Sequence, residues 1–166
     1  DTLCVAISQS GTTTDTNRTV DVVRARGGSV ISIVNRRQSD LVDRSDGVLY
    51  TSDGRDVEMS VASTKAFYSQ IAAGLIVAMA IADEVRSATG QPPPGDRAGM
   101  LEALSELPAR MGEVLARREE IGAVAQRHAP ARRSWALVGN GTNRIAAEEV
   151  RIKLSELCYK SIACDV

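Results

Sequence analysis

A short apolar segment leads directly into a stretch of small polar residues near the start of the chain. Residues 3–7 read L-C-V-A-I, and residues 8–13 read S-Q-S-G-T-T. An apolar run of this length that ends in a polar loop predicts a buried strand of a parallel sheet. A helix is predicted to begin at Thr14 or Asp15. Because parallel strands need crossover connections, this order of elements favours an α/β fold.

The 8–13 loop has the composition of an anion-binding site. Loops that follow parallel strands lie at the carboxyl edge of the sheet, where ligands bind, and a helix N-terminus offers unpaired N–H donors. Gly11 permits close backbone approach and Gln9 adds an amide donor. The hydroxyl donors are Ser8, Ser10, Thr12 and Thr13. The alternative is a Ser/Thr-rich helix cap without a ligand. The loop lacks Lys and Arg, which argues against a nucleoside triphosphate.

The remaining pattern alternates strands and helices. The first helix is predicted to end at Gly27-Gly28, and the long helix is opened by residues 58–65 and runs to about Val85 or Ala88. Residues 90–95, G-Q-P-P-P-G, form a loop because prolines interrupt a helix. A helical stretch with a break at Pro108 covers residues 96–128. The other predicted elements are strands at 30–34, near 48–50 and at 135–138, a polar stretch at 35–45, a tight loop at 139–143 and a helix at 145–159.

Composition narrows the classes of function. Hydrophobic residues make up 43% and aromatic residues 3% of the chain, which suits a layered aliphatic core. A net charge of -1 gives no reason to expect nucleic acid or an anionic membrane as a partner. The longest apolar run, residues 71–82, is shorter than a membrane span, so we expect it to be a core helix.

The three cysteines predict no disulfide framework. Their odd number without CxxC spacing indicates reduced thiols of a cytoplasmic protein, each buried as a small apolar residue; they are Cys4, Cys158 and Cys164. His, Cys and Asp show no metal-ligand spacing, so neither a metal nor another cofactor is expected.

Three further segments carry candidate chemistry. Ser63 or Thr64 in the motif V-A-S-T-K can cap the long helix or face a ligand. The 139–143 loop is a weak nucleotide signal because the third glycine of GxGxxG is absent. Glu149, Lys153 and Glu156 share one helix face, which suits either a surface ion-pair ladder or proton transfer beside a sugar carbonyl.

Three motifs taken together resemble a known family. S-Q-S-G-T-T at 8–13, E-M-S-V-A-S-T-K-A-F at 58–67 and K-L-S-E-L-C-Y at 153–159 are similar to the isomerase half of glucosamine-6-phosphate synthase. That enzyme, glutamine–fructose-6-phosphate aminotransferase, has two sugar isomerase (SIS) subdomains in this half. The resemblance implies a three-layer α/β/α, flavodoxin-like fold with a parallel sheet. Residues 1–95 would be most of a first SIS subdomain, 96–133 a helical connector and 134–166 the start of a second.

The resemblance also implies roles for individual residues. Glu156 matches the carboxylate that moves a proton during ketose–aldose isomerisation, and Lys153 matches a lysine of that site. Val61, through its backbone, and Ser63 match sugar-holding positions. Phosphate-contacting positions are matched by Ser8, Gln9, Ser10 and Thr13. The implied reaction converts fructose 6-phosphate and ammonia to glucosamine 6-phosphate. A homodimer is implied, with a glutaminase domain elsewhere in the parent chain.

The sequence departs from the family pattern in places. Thr12 stands where glutamate is usual and Ser155 where lysine is common. The family's first strand and its ring-opening histidine would lie outside residues 1–166, and His128 matches no catalytic position. We therefore expect a piece of a longer polypeptide. Two alternatives are a sugar-phosphate sensor without catalysis and a deaminase or deglycase of amino-sugar phosphates on the same fold.

Overall fold

The chain divides into two compact units, Asp1–Gly95 and Asp96–Val166. A computed structural model describes residues 2–53, 63–92 and 95–165. In the first unit the elements are β1 (Leu3–Ser8), α1 (Thr14–Ala25), β2 (Ser29–Val34), α2 (Asp40–Asp43), β3 (Gly47–Tyr50) and α3 (Lys65–Thr89). In the second they are α4 (Arg97–Ala116), α5 (Arg118–His128), β4 (Ser134–Val138), α6 (Asn143–Cys158) and β5 (Ser161–Asp165).

The sheet of the first unit has the strand order β1-β2-β3, and both strand pairs are parallel. The predicted α/β fold with a parallel sheet is confirmed. Strand ends agree with the prediction to within a residue, since β1 and β2 lie over the expected apolar runs. β1 is an edge strand, and Leu3, Val5 and Ile7 on one of its faces are exposed.

Helices cover both faces of this sheet. On one face, Val20 of α1 and Leu41 of α2 pack against Ala6 and Val30 of the strands. Ile33 alternates with Val30 along β2, so it faces the other side, and it is also fully buried. There α3 contacts β2. Helices, sheet and helix thus form the expected three layers.

The long helix α3 is less buried than the sequence predicts. Its described start is Lys65, and the predicted start at 58–62 lies outside the described residues. Only Ala66 and Ala73 are buried, so the expectation of a core helix is wrong for most of its length, because only part of it lies against β2. Gly90, at φ 70°, ends the helix in the left-handed conformation that favours glycine.

Within residues 2–53, 63–92 and 95–165, α3 is also the one helix that is both long enough and apolar enough to span a membrane. An 18-residue window of α3 has a mean hydropathy of 1.5, and 11% of that window is buried. Core helices of soluble proteins reach the same values. The expectation that the chain has no membrane partner therefore stays a prediction.

The second unit contains a β-α-β connection preceded by two helices. β4 and β5 pair in parallel through α6, and Ala147 and Ile162 supply its buried apolar residues. The predicted helix break at Pro108 is wrong, because α4 runs through it to Ala116. Since α4 has no buried residue, water can bond the carbonyl that proline leaves without its helical donor.

Two short elements and one thiol also differ from expectation. α2 lies inside the polar stretch 35–45, which the sequence indicated only as a connection. β5 follows α6 almost directly, after Tyr159 in a left-handed conformation at φ 51°. Cys158 is exposed because it is the last residue of α6, and its predicted burial is therefore wrong.

Candidate functional site

The 8–13 loop connects β1 to α1 and is shaped by its own serine side chains. Ser8 Oγ accepts a hydrogen bond from the Gly11 N–H at 3.0 Å. Ser10 Oγ accepts from the Thr12 N–H at 3.2 Å and from Thr12 Oγ1 at 2.9 Å. Because both serines act as acceptors here, each hydroxyl keeps its own proton for donation to a further oxygen. The loop therefore offers hydroxyl donors at the carboxyl edge of the sheet.

The loop does not cap α1 through its side chains. Thr13 is the N-cap residue, in an extended conformation, and makes no side-chain cap hydrogen bond. The first backbone bond into the helix is from the Asn17 N–H to the Thr13 carbonyl at 3.0 Å. The α1 N-terminus thus keeps donors that no threonine or serine cap occupies. This geometry disfavours the alternative of a simple Ser/Thr-rich cap.

A second segment, between β2 and α2, fastens the loop in place. The Gln9 carbonyl accepts from the N–H groups of Asn35, at 3.3 Å, and Arg36, at 3.2 Å. The Gly11 carbonyl accepts from the Leu41 N–H at 3.0 Å and from Asn17 Nδ2 at 3.3 Å. These bonds hold the two segments together as one surface. Sequence reasoning missed these partners because they are distant in sequence from the loop.

Gly11 is required by both conformation and space. Its φ is +65°, which side chains rarely adopt, and a Cβ at this position would lie 2.1 Å from Ser39 Oγ. Ser39 is buried, so it cannot move away into solvent. The close approach that the sequence predicted for Gly11 is therefore made to the protein's own Ser39.

Gln9 also contributes to a small recess beside the loop. The volume of this recess is about 10 Å³, room for about one water molecule. Its lining residues are Gln9, Asn35, Thr51, Ser52, Lys65, Ala66 and Ser69. Gln9 Oε1 is buried without a hydrogen-bond partner in the described part of the chain. This oxygen is an acceptor, so it suits a ligand group that donates, such as a hydroxyl.

Asn35 organises the far side of the recess. Its Oδ1 accepts from Thr51 Oγ1 at 3.3 Å and from Ser52 Oγ. Val61 lies outside the described residues, whereas Ser63 is described, half-buried and close to the start of α3. Thr64 is the N-cap residue of α3 and makes no side-chain cap hydrogen bond to it. Of the predicted sugar-phosphate residues, the structure thus brings together those of the 8–13 loop.

On the face of α6 that carries Glu149, Lys153 and Glu156, two of the three residues form an ion pair. Lys153 Nζ lies 2.8 Å from Glu149 Oε1, and both side chains are largely buried, at 20% and 22% exposure. Glu156 is exposed and has no ion pair or hydrogen bond within residues 2–53, 63–92 and 95–165. The lysine therefore pairs with Glu149, and the Glu156 carboxylate stays open to solvent.

The 139–143 loop is held by hydrogen bonds within itself and by one hydrogen bond to β5. The Gly141 N–H donates to Asn140 Oδ1 at 2.7 Å, and the Gly139 N–H donates to the Asp165 carbonyl at 3.1 Å. Arg144, which stands where a third glycine would be, pairs with Glu148 at 3.0 Å. Among the described residues, no group of His, Cys, Asp or Glu is placed to hold a metal ion.

Comparison with known families decides the class of the first unit. Residues 1–80 match the SIS domain family. The chain contains a SIS domain. The hydroxyl groups of the 8–13 loop and the uncapped N-terminus of α1 thus lie inside this domain.

The SIS domain and the residues after it have relatives that match almost the whole chain. The glutamine–fructose-6-phosphate aminotransferase (isomerizing) of Mycolicibacterium smegmatis is 36% identical over 158 residues, which is 95% of this chain and 24% of that protein. The enzyme of the same name from Halobacterium salinarum is 32% identical over 96% of this chain and 25% of that protein. The chain thus spans about a quarter of the length of these relatives.

A solved structure of a related protein is also similar to this chain. The C-terminal domain of glucosamine-fructose-6-phosphate aminotransferase from Francisella tularensis superposes with a TM-score of 0.86 and 30% sequence identity. That match covers 98% of this chain and 44% of the solved chain. The resemblance stated from the three motifs is therefore confirmed.

Proposed function

We propose that the chain is part of an isomerase that makes glucosamine 6-phosphate from fructose 6-phosphate and ammonia. In this reaction ammonia adds to the C2 carbonyl and water leaves, which gives an imine. A proton then moves from C1 to C2 and the O1 proton moves to the nitrogen, so that the imine of the ketose becomes an amino aldose. The proposed substrate is a hexose phosphate, and no metal or organic cofactor is needed for these steps.

The observation that carries the proposal is the 8–13 loop. Ser8, Ser10 and Thr13 bring hydroxyl groups to the uncapped end of α1. Gln9 lies in the same loop, and its amide Nε2 is a further donor. A phosphate accepts hydrogen bonds from such donors and is favoured by the helix N-terminus. We propose that these residues bind the substrate's phosphate and that Val61 and Ser63 hold the sugar.

For the proton transfer we propose Glu156. It is an exposed carboxylate without a protein partner in the described residues, so its oxygens are accessible to a substrate. Lys153, one turn earlier on α6, is held by Glu149 at 2.8 Å. We propose that this pair fixes the orientation of the lysine side chain for its role in the reaction.

Calorimetry of the chain with fructose 6-phosphate, glucosamine 6-phosphate and inorganic phosphate tests the ligand assignment. We expect heat of binding for the sugar phosphates and none for fructose without phosphate, since the loop recognises the phosphate. The absence of binding at millimolar concentration would contradict the proposal.

The parent protein with Glu156→Gln tests the chemistry. Loss of a general acid–base group should lower the rate of glucosamine 6-phosphate formation by about 10²–10⁴-fold while substrate binding is retained. The matched control is Glu148→Gln on the same helix, whose carboxylate pairs with Arg144 at 3.0 Å. Equal loss of rate in both variants would refute the assignment of Glu156.

Two other functions would use the same domain. A sensor would bind sugar phosphate without converting it, and a deaminase or deglycase would act on an amino-sugar phosphate. The open carboxylate of Glu156 favours an enzyme, because a sensor needs no proton-transferring group. Assay of the parent protein with each substrate separates the two enzymes by the product formed.

We also propose an assembly and a location. The relatives are about four times as long as the chain, since it covers 24% of the first of them, which leaves room for a glutaminase domain in the parent. Exposed apolar residues of α3, among them Tyr68 and Ile71, suit burial against a second copy in a homodimer. We propose a cytoplasmic enzyme, with residues 96–133 as connector and 134–166 as the start of a second SIS subdomain.

A further inference from the structure

Two adjacent arginines lie next to the proposed phosphate loop, although the loop itself carries no cation. Arg36 and Arg37 directly follow Asn35 at the carboxyl end of β2, and both are exposed. The Arg36 N–H bonds the Gln9 carbonyl at 3.2 Å. The backbone that carries this guanidinium is therefore fixed to the loop that is proposed to bind phosphate.

Carboxylates pair with two other arginines of the unit, Arg24 and Arg44, but not with Arg36 or Arg37. Arg24 pairs with Asp46 at 2.9 Å, and Arg44 pairs with Asp21 at 3.0 Å and with Asp40 at 3.8 Å. Neither Arg36 nor Arg37 forms an ion pair in the described part of the chain. Their positive charge is available to a ligand.

The placement of Arg37 is fixed by an aromatic ring. Its guanidinium carbon lies 4.2 Å from the centroid of the Tyr50 ring, at the end of β3. A guanidinium over an aromatic face keeps its charge and its outward N–H donors. Arg36 at the end of β2 and Arg37 against the end of β3 thus place two cations along the carboxyl edge of one sheet.

We propose that Arg36 and Arg37 supply the positive charge of the phosphate site and set its preference for a dianionic phosphate monoester. This rests on the proposed function of the 8–13 loop. The hydroxyls and amide of the loop recognise the shape of the phosphate, and the arginines balance its charge. Charge rather than donor geometry is the basis of this role, because two cations beside the loop favour a dianion.

Charge-changing variants test the proposal by calorimetry with fructose 6-phosphate. Arg36→Gln/Arg37→Gln should weaken binding at least about tenfold, since a charged hydrogen bond contributes more than a neutral one. Arg36→Lys/Arg37→Lys keeps both charges and should stay within about threefold of the unchanged chain. The matched control is Arg26→Gln, an exposed arginine after α1 at the opposite edge of the sheet.

Ionic strength supplies a second readout that a purely structural role would not change. Exposed charges are screened over about 30 Å at 0.01 M salt and about 8 Å at 0.15 M. The affinity of the unchanged chain should fall as salt rises, and that of the Gln double variant should fall much less. Thermal unfolding of each variant verifies that it is folded.

The outcomes separate the two proposals. If the unchanged chain binds fructose 6-phosphate and the Gln double variant binds it equally well, the role of the arginines is refuted and the function of the loop stands. If the Lys variant is as weak as the Gln variant, charge is not the cause and the inference also fails. If the unchanged chain binds no phosphate compound at millimolar concentration, both proposals fail.

Discussion

The first unit passes from β1 through the 8–13 loop into α1, and the second passes from β4 through the 139–143 loop into α6. Both connections join parallel strands. The first loop is bonded to another segment through the carbonyls of Gln9 and Gly11. The second is bonded within itself and to Asp165. Among the described residues, the same topology therefore gives a loop bonded to the neighbouring segment at two positions, Gln9 and Gly11, in one case and at Gly139 alone in the other.

Core packing also differs between the two units, and more side chains are fully buried in the first. Side chains that are fully buried occur on both faces of the first sheet, for example Ile33 and Leu41. In the second unit the apolar residues below 10% exposure in the described chain are Ala147 and Ile162. A binding loop needs a rigid base, because a ligand otherwise has to order it. We therefore expect the first loop to be the better anion site.

The largest expected effect tests the difference in packing. Leu41→Ala removes a side chain with no exposure and should lower the free energy of unfolding by about 2–5 kcal/mol. Leu115→Ala, at a side chain that is 65% exposed in α4, should change it by less than about 0.5 kcal/mol. Urea unfolding of the two variants measures both values, and similar losses would contradict the contrast between the units.

The next effect tests the loops with matched glycines. Gly11 and Gly141 both have positive φ, +65° and +56°, so alanine at either should cost about 1–2 kcal/mol of backbone strain. Only Gly11→Ala also meets Ser39, which should add about 1–3 kcal/mol and remove phosphate binding. Thermal unfolding and calorimetry measure the two effects.

A compensating substitution sharpens this comparison. Ser39→Gly removes the two nearest atoms that a Cβ at position 11 would meet and leaves Val34 Cγ2 at 3.1 Å, so Gly11→Ala/Ser39→Gly should recover part of the stability lost in Gly11→Ala. The same Ser39→Gly change should not improve Gly141→Ala, which meets no atom within 4 Å. Absence of any recovery would show that the contact with Ser39 does not limit position 11.

The smallest effect concerns two carboxylates. The Val30 N–H and the Arg24 guanidinium lower the pKa of Asp46 below its usual range, and Arg117 lowers that of Glu120. A folded-state pKa below the unfolded one stabilises the fold above the unfolded value, about 4, and this contribution is lost as pH falls through the folded value. Stability should thus decline in acid partly through Asp46.

Neutral variants measured from pH 7 to pH 2 test this contribution. Asp46→Asn should be less stable than the unchanged chain at pH 7, and the difference should shrink as the pH falls below about 4. Glu120→Gln should show a smaller difference, because Glu120 bonds only an exposed arginine whereas Asp46 bonds the backbone of the buried Val30. A constant difference across the pH range for Asp46→Asn would exclude titration as its cause.

Local patterns predicted the main elements of the fold. The apolar runs predicted β1, β2 and β4. The polar loop after β1 predicted the candidate site with Ser8 and Gln9. α2 was missed because four residues in a polar stretch carry too little periodicity. The exposure of α3 was missed because composition does not tell what lies against a helix.

The supporting partners of the site were beyond sequence reasoning. Asn35 and Ser39 contact Gln9 and Gly11 only because parallel pairing places the ends of β1 and β2 side by side. No local propensity indicates such a pair. The sequence likewise does not indicate that Arg36 and Arg37 lie beside the loop, because this depends on the hydrogen bond from the Arg36 N–H to the Gln9 carbonyl.

Among the described residues β1 is bonded to another strand on one side only, and this edge affects how the isolated chain behaves in concentrated solution. The segment L-C-V-A-I-S has neither a charge nor a proline to block the addition of another strand, and the net charge of the chain is only -1. Weak electrostatic repulsion does little to keep such edges apart. We expect molecules of this chain to associate edge to edge as the protein concentration rises, and a lysine in place of exposed Val5 to improve its solubility.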